Sequence, residues 1–519
     1  MSATPPSRHL SAENETLAAE KTGLTRENTA TDYENVANTR GKTENTRGNA
    51  AINDEKSAPM AEKTESGRGN DAIDDENPAL AAEKTSLTHE NTATACENAA
   101  SNRGKTENAR GNTAIHAGKS APTDGKTENV RGKTKSDPGN DALAASAGQN
   151  IKPRYELLDG LRGVAALLVI LFHFGEGFAT TPADQWINHG YLAVDFFFIL
   201  SGFVIGYAYD DRWTRGMTAR RFMWRRVVRL HPLVVLSMLL GAAAFVLQGS
   251  VQWDGTPVDA PRLLLCLALS LFLLPAWPGA ACEVRGNGEM FPLNGPAWSL
   301  FFEYIGSLAY ALFLHSVGKR TLRLIVSAGA AALAATALGN ASGFYNLGVG
   351  WSLADGGFWG GLARLSFSFP AGLLMARSFR PMRVRGAFWL CSAALVAMLS
   401  MPYVGDSAGD VRNAVFDLVC TLVVFPAIVW LGACGATTDA FSTRLCATLG
   451  QLSYPIYILH YPLMYLFYAW VWQNGVSPRE ALPVCAAMLV VIPALAWTAL
   501  HFYDIPLREA LGRHLSGRR

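Results

Sequence analysis

The chain has 519 residues, of which 49% are hydrophobic and 17% charged, with a formal net charge of +2. That balance says little about partners by itself, but the positive charges are placed locally and not as a patch for nucleic acid, so no nucleic-acid partner is expected. Eight cysteines without C-x-x-C or paired spacing exclude a disulfide framework and a thiolate metal cluster.

These averages combine two unlike parts. Residues 1–150 are Asn, Thr, Glu, Lys, Ala and Gly with few large apolar side chains, a composition that buries too little surface to offset its ordering entropy. The expectation is a disordered low-complexity extension. It also repeats itself: AAEKT and RGKTEN-x-RGN at residues 18–49 recur at 81–112, 63 positions later, without helix or strand patterning. The first thirty residues lack a signal-peptide core, so the first apolar helix is expected to target the chain to the membrane.

From Leu157 onward, apolar stretches of about twenty residues follow one another. Eleven candidates occur, at 157–178, 189–209, 227–247, 262–280, 297–316, 322–340, 357–376, 386–404, 412–434, 448–472 and 481–503. Counting all of them as crossings places Lys319, Arg320, Arg323, Arg377, Arg380, Arg383 and Arg385 outside, against the positive-inside rule. Counting 262–280 as a re-entrant or surface element, as Pro275 and Pro278 favour, moves every basic cluster inside. The fold expected is therefore all-α: a polytopic transmembrane bundle of about ten crossings over 151–510, with a basic tail at 511–519 and both termini cytoplasmic.

Ionisable residues inside such spans cost roughly 2.5–3.5 kcal/mol each on lenient insertion scales, which marks them as functional candidates. Arg162 and His173 share the first span and are separated by roughly 16 Å at 1.5 Å per residue. Asp195, in the outer third of the second span, is expected to meet His173 at a similar depth and orient it as a base; a plain helix-tying hydrogen bond is the alternative. Arg225, Arg226 and Arg229 form R-R-x-x-R at the start of the third span, as topology anchors or as a phosphate-holding set with Arg162. Glu303, after Trp298 and Ser299, either orients an acceptor hydroxyl or pairs with a neighbouring helix. His460, between Pro455 and Pro462, reads as a structural hydrogen-bond donor. No H-E-x-x-H, G-x-S-x-G or Walker loop occurs, so metal, serine-hydrolase and ATPase chemistry find no motif.

In chain order, LDGLRGVAALLVILFHF, AVDFFFILSGFVIGY, RRVVRLHPL, PAWSLFFE and LGQLSYPIYILHYPL resemble the acyltransferase 3 family of integral membrane O-acyltransferases. The resemblance covers about 154–510, and FYDIPLREAL departs from it with Asp504 where glutamate is usual. It implies transfer of an acyl group, often acetyl from cytoplasmic acetyl-CoA, to a carbohydrate or lipid-linked glycan at or beyond the outer face of the cytoplasmic membrane, with no metal. It makes Arg162 and His173 the essential first-helix pair, Arg225, Arg226 and Arg229 the donor-side motif, and Glu303 the acidic position. Whether His173 deprotonates the acceptor or carries the acyl group itself stays open at this point. Buried Arg, His and Asp in broken helices also fit a proton-coupled permease, and a membrane anchor presenting the N-terminal segment is a third class.

Overall fold

The computed structural model describes residues 155–516, apart from 186, 355, 381, 383, 406–408 and 438. The expectation of disorder over 1–150 lies outside the described residues. Among those described there are helices and isolated bridges but no strands. In chain order they are α1 (Glu156–Glu176), α2 (Ala193–Trp213), α3 (Ala219–Leu247), α4 (Ala260–Leu271), α5 (Ala297–Ala309), α6 (Lys319–Leu338) and α7 (Gly357–Ser378). Then follow α8 (Ala387–Leu399), α9 (Val411–Val419), α10 (Phe425–Cys434), α11 (Ala440–Asn474), α12 (Pro478–Ala499) and α13 (Ile505–Ser516). Five-residue π-helical turns extend α5 and join α9 to α10 and α12 to α13.

Among the described residues, seven segments are long and apolar enough to cross a bilayer: α1, Gly190–Trp213, α3, Ala297–Leu314, α6, Val411–Cys434 and Pro478–Arg513. Helices α7 and α11 have the length, at 22 and 35 residues, but hold polar groups such as Arg364 and His460 inside the bundle. Helix α4 stops at Leu271 after about 18 Å, short of the roughly 30 Å of hydrocarbon. That agrees with 262–280 not forming a clean span.

The stretch 386–404 differs from expectation. Its helix, α8, is only 13 residues long, because it starts after Gly386 at a φ of 69° and stops before Pro402. Helix α13 carries the chain as helix through Ser516.

Two helix pairs build the centre. Helix α1 lies against α11, where a Cβ on Gly163 would stand 2.6 Å from Leu449, and one on Gly450 2.6 Å from Asp159. Helix α2 crosses α7 closer still: a Cβ on Gly202 would sit 2.0 Å from the Phe369 carbonyl oxygen, and one on Gly372 2.0 Å from that of Ile199. Glycine lets these backbones touch, as small residues do where lipid supplies no hydrophobic drive between helices. In the same interface Arg364 clasps Asp195, with both side chains essentially inaccessible.

Candidate active site

Helices α1, α2, α3, α5 and α11 enclose a cavity of about 90 Å³. Arg162, Arg226 and Arg229 enter it beside Ser201, Ser299, Glu303, Ser453, Tyr454 and Tyr457, among aliphatic and Phe side chains. Arginine is there because α3 carries R-R-x-x-R at 225–229: residues 226 and 229 are three apart and share a face.

Each arginine is held differently. Arg226 is buried and donates to Glu303, with its Nε 3.2 Å from Ser307 Oγ; Glu303 also accepts from Ser201 at 2.7 Å. Arg162 donates to Ser453 at 2.8 Å and to the Gly450 carbonyl at 3.1 Å, and it pairs with Asp159 at 3.2 Å. Arg229 reaches the cavity exposed and without a hydrogen bond or ion pair among the described residues. Arg225, expected as a fourth member, is not among the residues lining the cavity.

His173 lies further along α1. Its Nδ1 is 2.5 Å from Glu176 Oε2, and the Tyr468 hydroxyl donates to the His173 carbonyl at 2.9 Å and to Glu176 at 3.1 Å. With Nδ1–H given to the carboxylate, Nε2 keeps its lone pair for a substrate proton. The side chain retains 13% exposure, enough to meet a ligand. Its ring stacks on His460 at 5.2 Å between centroids, and Tyr457, which lines the cavity, is 6.1 Å from His460. Two ring contacts thus connect the arginine cavity with His173.

Asp195 does not orient His173. It receives three hydrogen bonds from Arg364, two at 3.2 Å and one at 2.7 Å, because α2 is pressed against α7 and the carboxylate faces that partner. Glu176 takes the place expected of it. Glu303, for its part, is bound through Oε1 to Arg226 and Ser201 on the cavity wall, a pairing with neighbouring helices that is one of the two roles expected of it.

Three residues escaped the reading of the sequence. Glu176 follows His173 by three positions, a spacing that alone puts the two on one helix face. Arg364 is an arginine inside an apolar run, GGLARLSFSFP, a signal of the same kind as Arg162. Ser453 gave no signal at all.

The sequence profile of the acyltransferase 3 family, described as an acyltransferase domain, matches residues 155–502. The chain belongs to the acyltransferase 3 family. Among its relatives, the "Protein 2 in picA locus" of Rhizobium radiobacter is 38% identical over 170 residues, 31% of this chain and 84% of that protein. A protein named as the membrane-bound transacylase BcsY of Komagataeibacter xylinus is 29% identical over 328 residues, 60% of this chain and 73% of its own length. The acyltransferase MdmB of Streptomyces mycarofaciens is 26% identical over 393 residues, 69% of this chain and 93% of its own. No solved structure matches. This acyltransferase 3 protein is a multi-pass membrane acyltransferase.

Proposed function

We propose that this acyltransferase moves an acetyl group from cytoplasmic acetyl-CoA to a hydroxyl of an exported or cell-surface carbohydrate, in a cytoplasmic membrane that it crosses about ten times with both ends inside. The observation that carries this reading is the convergence of Arg162, Arg226 and Arg229 in one cavity that leads by ring contacts to His173. Arginine forks suit the phosphates of CoA. Glu303 and Ser201 hold Arg226 in place, and Arg229 supplies a cation without a hydrogen bond or ion pair among the described residues.

In the proposed reaction His173 Nε2 takes the acceptor O–H proton while the oxygen attacks the thioester carbonyl. The C–S bond breaks, and the CoA thiolate takes the proton back from Nε2, so charge and protons balance. Glu176 holds the ring tautomer and stabilises the imidazolium that forms in between. Asp195 and Arg364 act upstream of this chemistry by fixing α2 against α7.

The test uses inverted membrane vesicles holding the full chain and radiolabelled acetyl-CoA. Label should pass to the membrane glycan with the wild type and not with His173→Ala. Equal transfer by the two would refute the reading. A labelled adduct on His173 that survives without acceptor would replace direct transfer by an acyl-enzyme.

A further inference from the structure

On and beside the stretch of α11 that packs against His173 the protein buries three polar atoms with no hydrogen-bond partner among the described residues: His460 Nε2, Asn294 Oδ1 and Arg285 Nη2. Their residues are 0%, 0% and 1% accessible. Each such atom costs about 1–3 kcal/mol when left unmet, and folded proteins keep few of them. Here the three flank one stretch of α11.

Pro462 explains part of the arrangement. It has no N–H, which frees the Ile458 carbonyl, and the Asn294 amide donates to that oxygen at 2.8 Å. The next residue, Gly295, gives its N–H to the Tyr465 hydroxyl at 3.0 Å, and that hydroxyl donates to Glu289 at 2.5 Å. The Arg285 guanidinium lies 3.4 Å from the centre of the Tyr465 ring. From Ile458 to Tyr465 is less than two helical turns, about 10 Å, and the stretch includes His460 and Tyr461, whose rings are 5.2 and 4.8 Å from His173.

The chemistry of the three atoms is specific. His460 Nδ1 is 2.8 Å from the Tyr457 carbonyl and 3.2 Å from that of Ile456, groups that only accept, so Nδ1 carries the hydrogen. A charged ring would bury a second N–H with nothing to receive it. His460 is therefore neutral, and its Nε2 offers a lone pair. Asn294 Oδ1 is a second acceptor and Arg285 Nη2 a donor.

Two acceptors and one donor beside aromatic faces match a molecule whose hydroxyls both give and receive hydrogen bonds and whose C–H faces lie on rings. A phosphate or carboxylate would meet two lone pairs and the Glu289 carboxyl. A fatty chain would leave all three atoms unmet.

We propose that the loop Arg285–Gly295 and the His460 region of α11 form the subsite for a polyhydroxylated acceptor, His460 Nε2 accepting from a hydroxyl next to the one acylated. This rests on the reading of His173 as the transfer base and specifies which face of the site holds the acceptor. His460 is a positioning residue on this account: it fixes the diol while His173 reacts.

The experiment keeps the full chain in inverted vesicles with radiolabelled acetyl-CoA and the vesicles' own glycan. His460→Phe keeps a ring against His173 but removes the acceptor atom; His460→Gln restores an acceptor. His460→Phe should lower label transfer about tenfold or more, since a site built to bind a hydroxyl loses most when the pairing is lost, with the acetyl-CoA KM unchanged within about twofold. His460→Gln should recover a large part of the rate. Asn294→Ala reads the same effect from the loop and stands in where His460→Phe does not accumulate. Wild-type transfer by both variants would overturn the subsite. So would an acetyl-CoA KM that rises in step with the lost rate, or a His460→Gln as impaired as His460→Phe. Wild-type vesicles that transfer no more label than His173→Ala would instead refute the reading beneath it, and the subsite with it.

Discussion

The arginine cavity and the histidine region share α1 and α11 yet treat their polar groups in opposite ways. In the cavity, charges sit around open space, with Arg226 tied to Glu303, Arg162 tied to Asp159 and Ser453, and Arg229 without a hydrogen bond or ion pair among the described residues. Around His173, rings pack on rings and the polar atoms are enclosed, His460 at 0% and Glu289 at 7% accessible. Open cations await a strongly charged ligand that brings its own counter-charge. The enclosed end has one cation, Arg285, near the Glu289 carboxyl, and beside it two neutral acceptors, His460 Nε2 and Asn294 Oδ1, which suit a hydroxylated ligand on the proposed reading. The contrast is the physical basis for giving the donor to one end and the acceptor to the other.

Breaking the contrast most severely, His173→Ala should lower acetyl transfer by about 10²–10⁴, the usual worth of a positioned base, in the vesicle assay. Next comes the scaffold that both ends share. Arg364→Met should cost about 3–5 kcal/mol by stranding the Asp195 charge, read as lost thermal stability in detergent, and Asp195→Leu in the same chain should recover much of it. A catalytic Asp195 would instead leave the double variant stable but inactive; a scaffold Asp195 leaves it stable and active.

A smaller effect separates the donor end. Arg229→Ala should raise the acetyl-CoA KM roughly tenfold with kcat nearly unchanged, as loss of a charge-assisted phosphate contact would. A fallen kcat at constant KM would move Arg229 to the chemistry.

The smallest effect sharpens the other end. Burial pushes the Glu289 carboxyl up to about 7, against the opposing influence of the Tyr465 hydroxyl and Arg285. A carboxyl raised on folding favours the folded state fully below its unfolded value of 4.5 and loses that contribution as pH rises through about 7. Thermal stability should decline over that window in the wild type and flatten in Glu289→Gln. An unchanged slope would place Glu289 in contact with water.

The sequence showed the pieces better than their pairings. Arg162, His173 and the Arg226–Arg229 spacing were legible because each lies within one apolar helix, where a charge stands out against its neighbours and helical geometry fixes who shares a face. The partner of Asp195 was not, because Arg364 is 169 positions away and only the α2–α7 crossing brings them together. Depth along the membrane suggested His173 for Asp195; rotation about the helix axis, which hydropathy does not encode, gave it Arg364. The short α8 was hidden for a related reason: apolar residues continue past its end, and only Gly386 and Pro402 mark where hydrogen bonding stops.

The Asp195–Arg364 clasp also sets a schedule for biogenesis. Asp195 leaves the ribosome 169 residues ahead of Arg364, an interval of about 8 to 34 s at about 5–20 residues per second. Throughout that interval the second span has its carboxylate and no cation to neutralise it, and Gly202 has no helix to lie against. The nascent chain therefore has to be kept at the insertion machinery, or with its carboxylate at the membrane edge, until the seventh helix arrives, and cells short of insertase capacity should lose this protein before they lose membrane proteins whose buried charges pair within neighbouring helices.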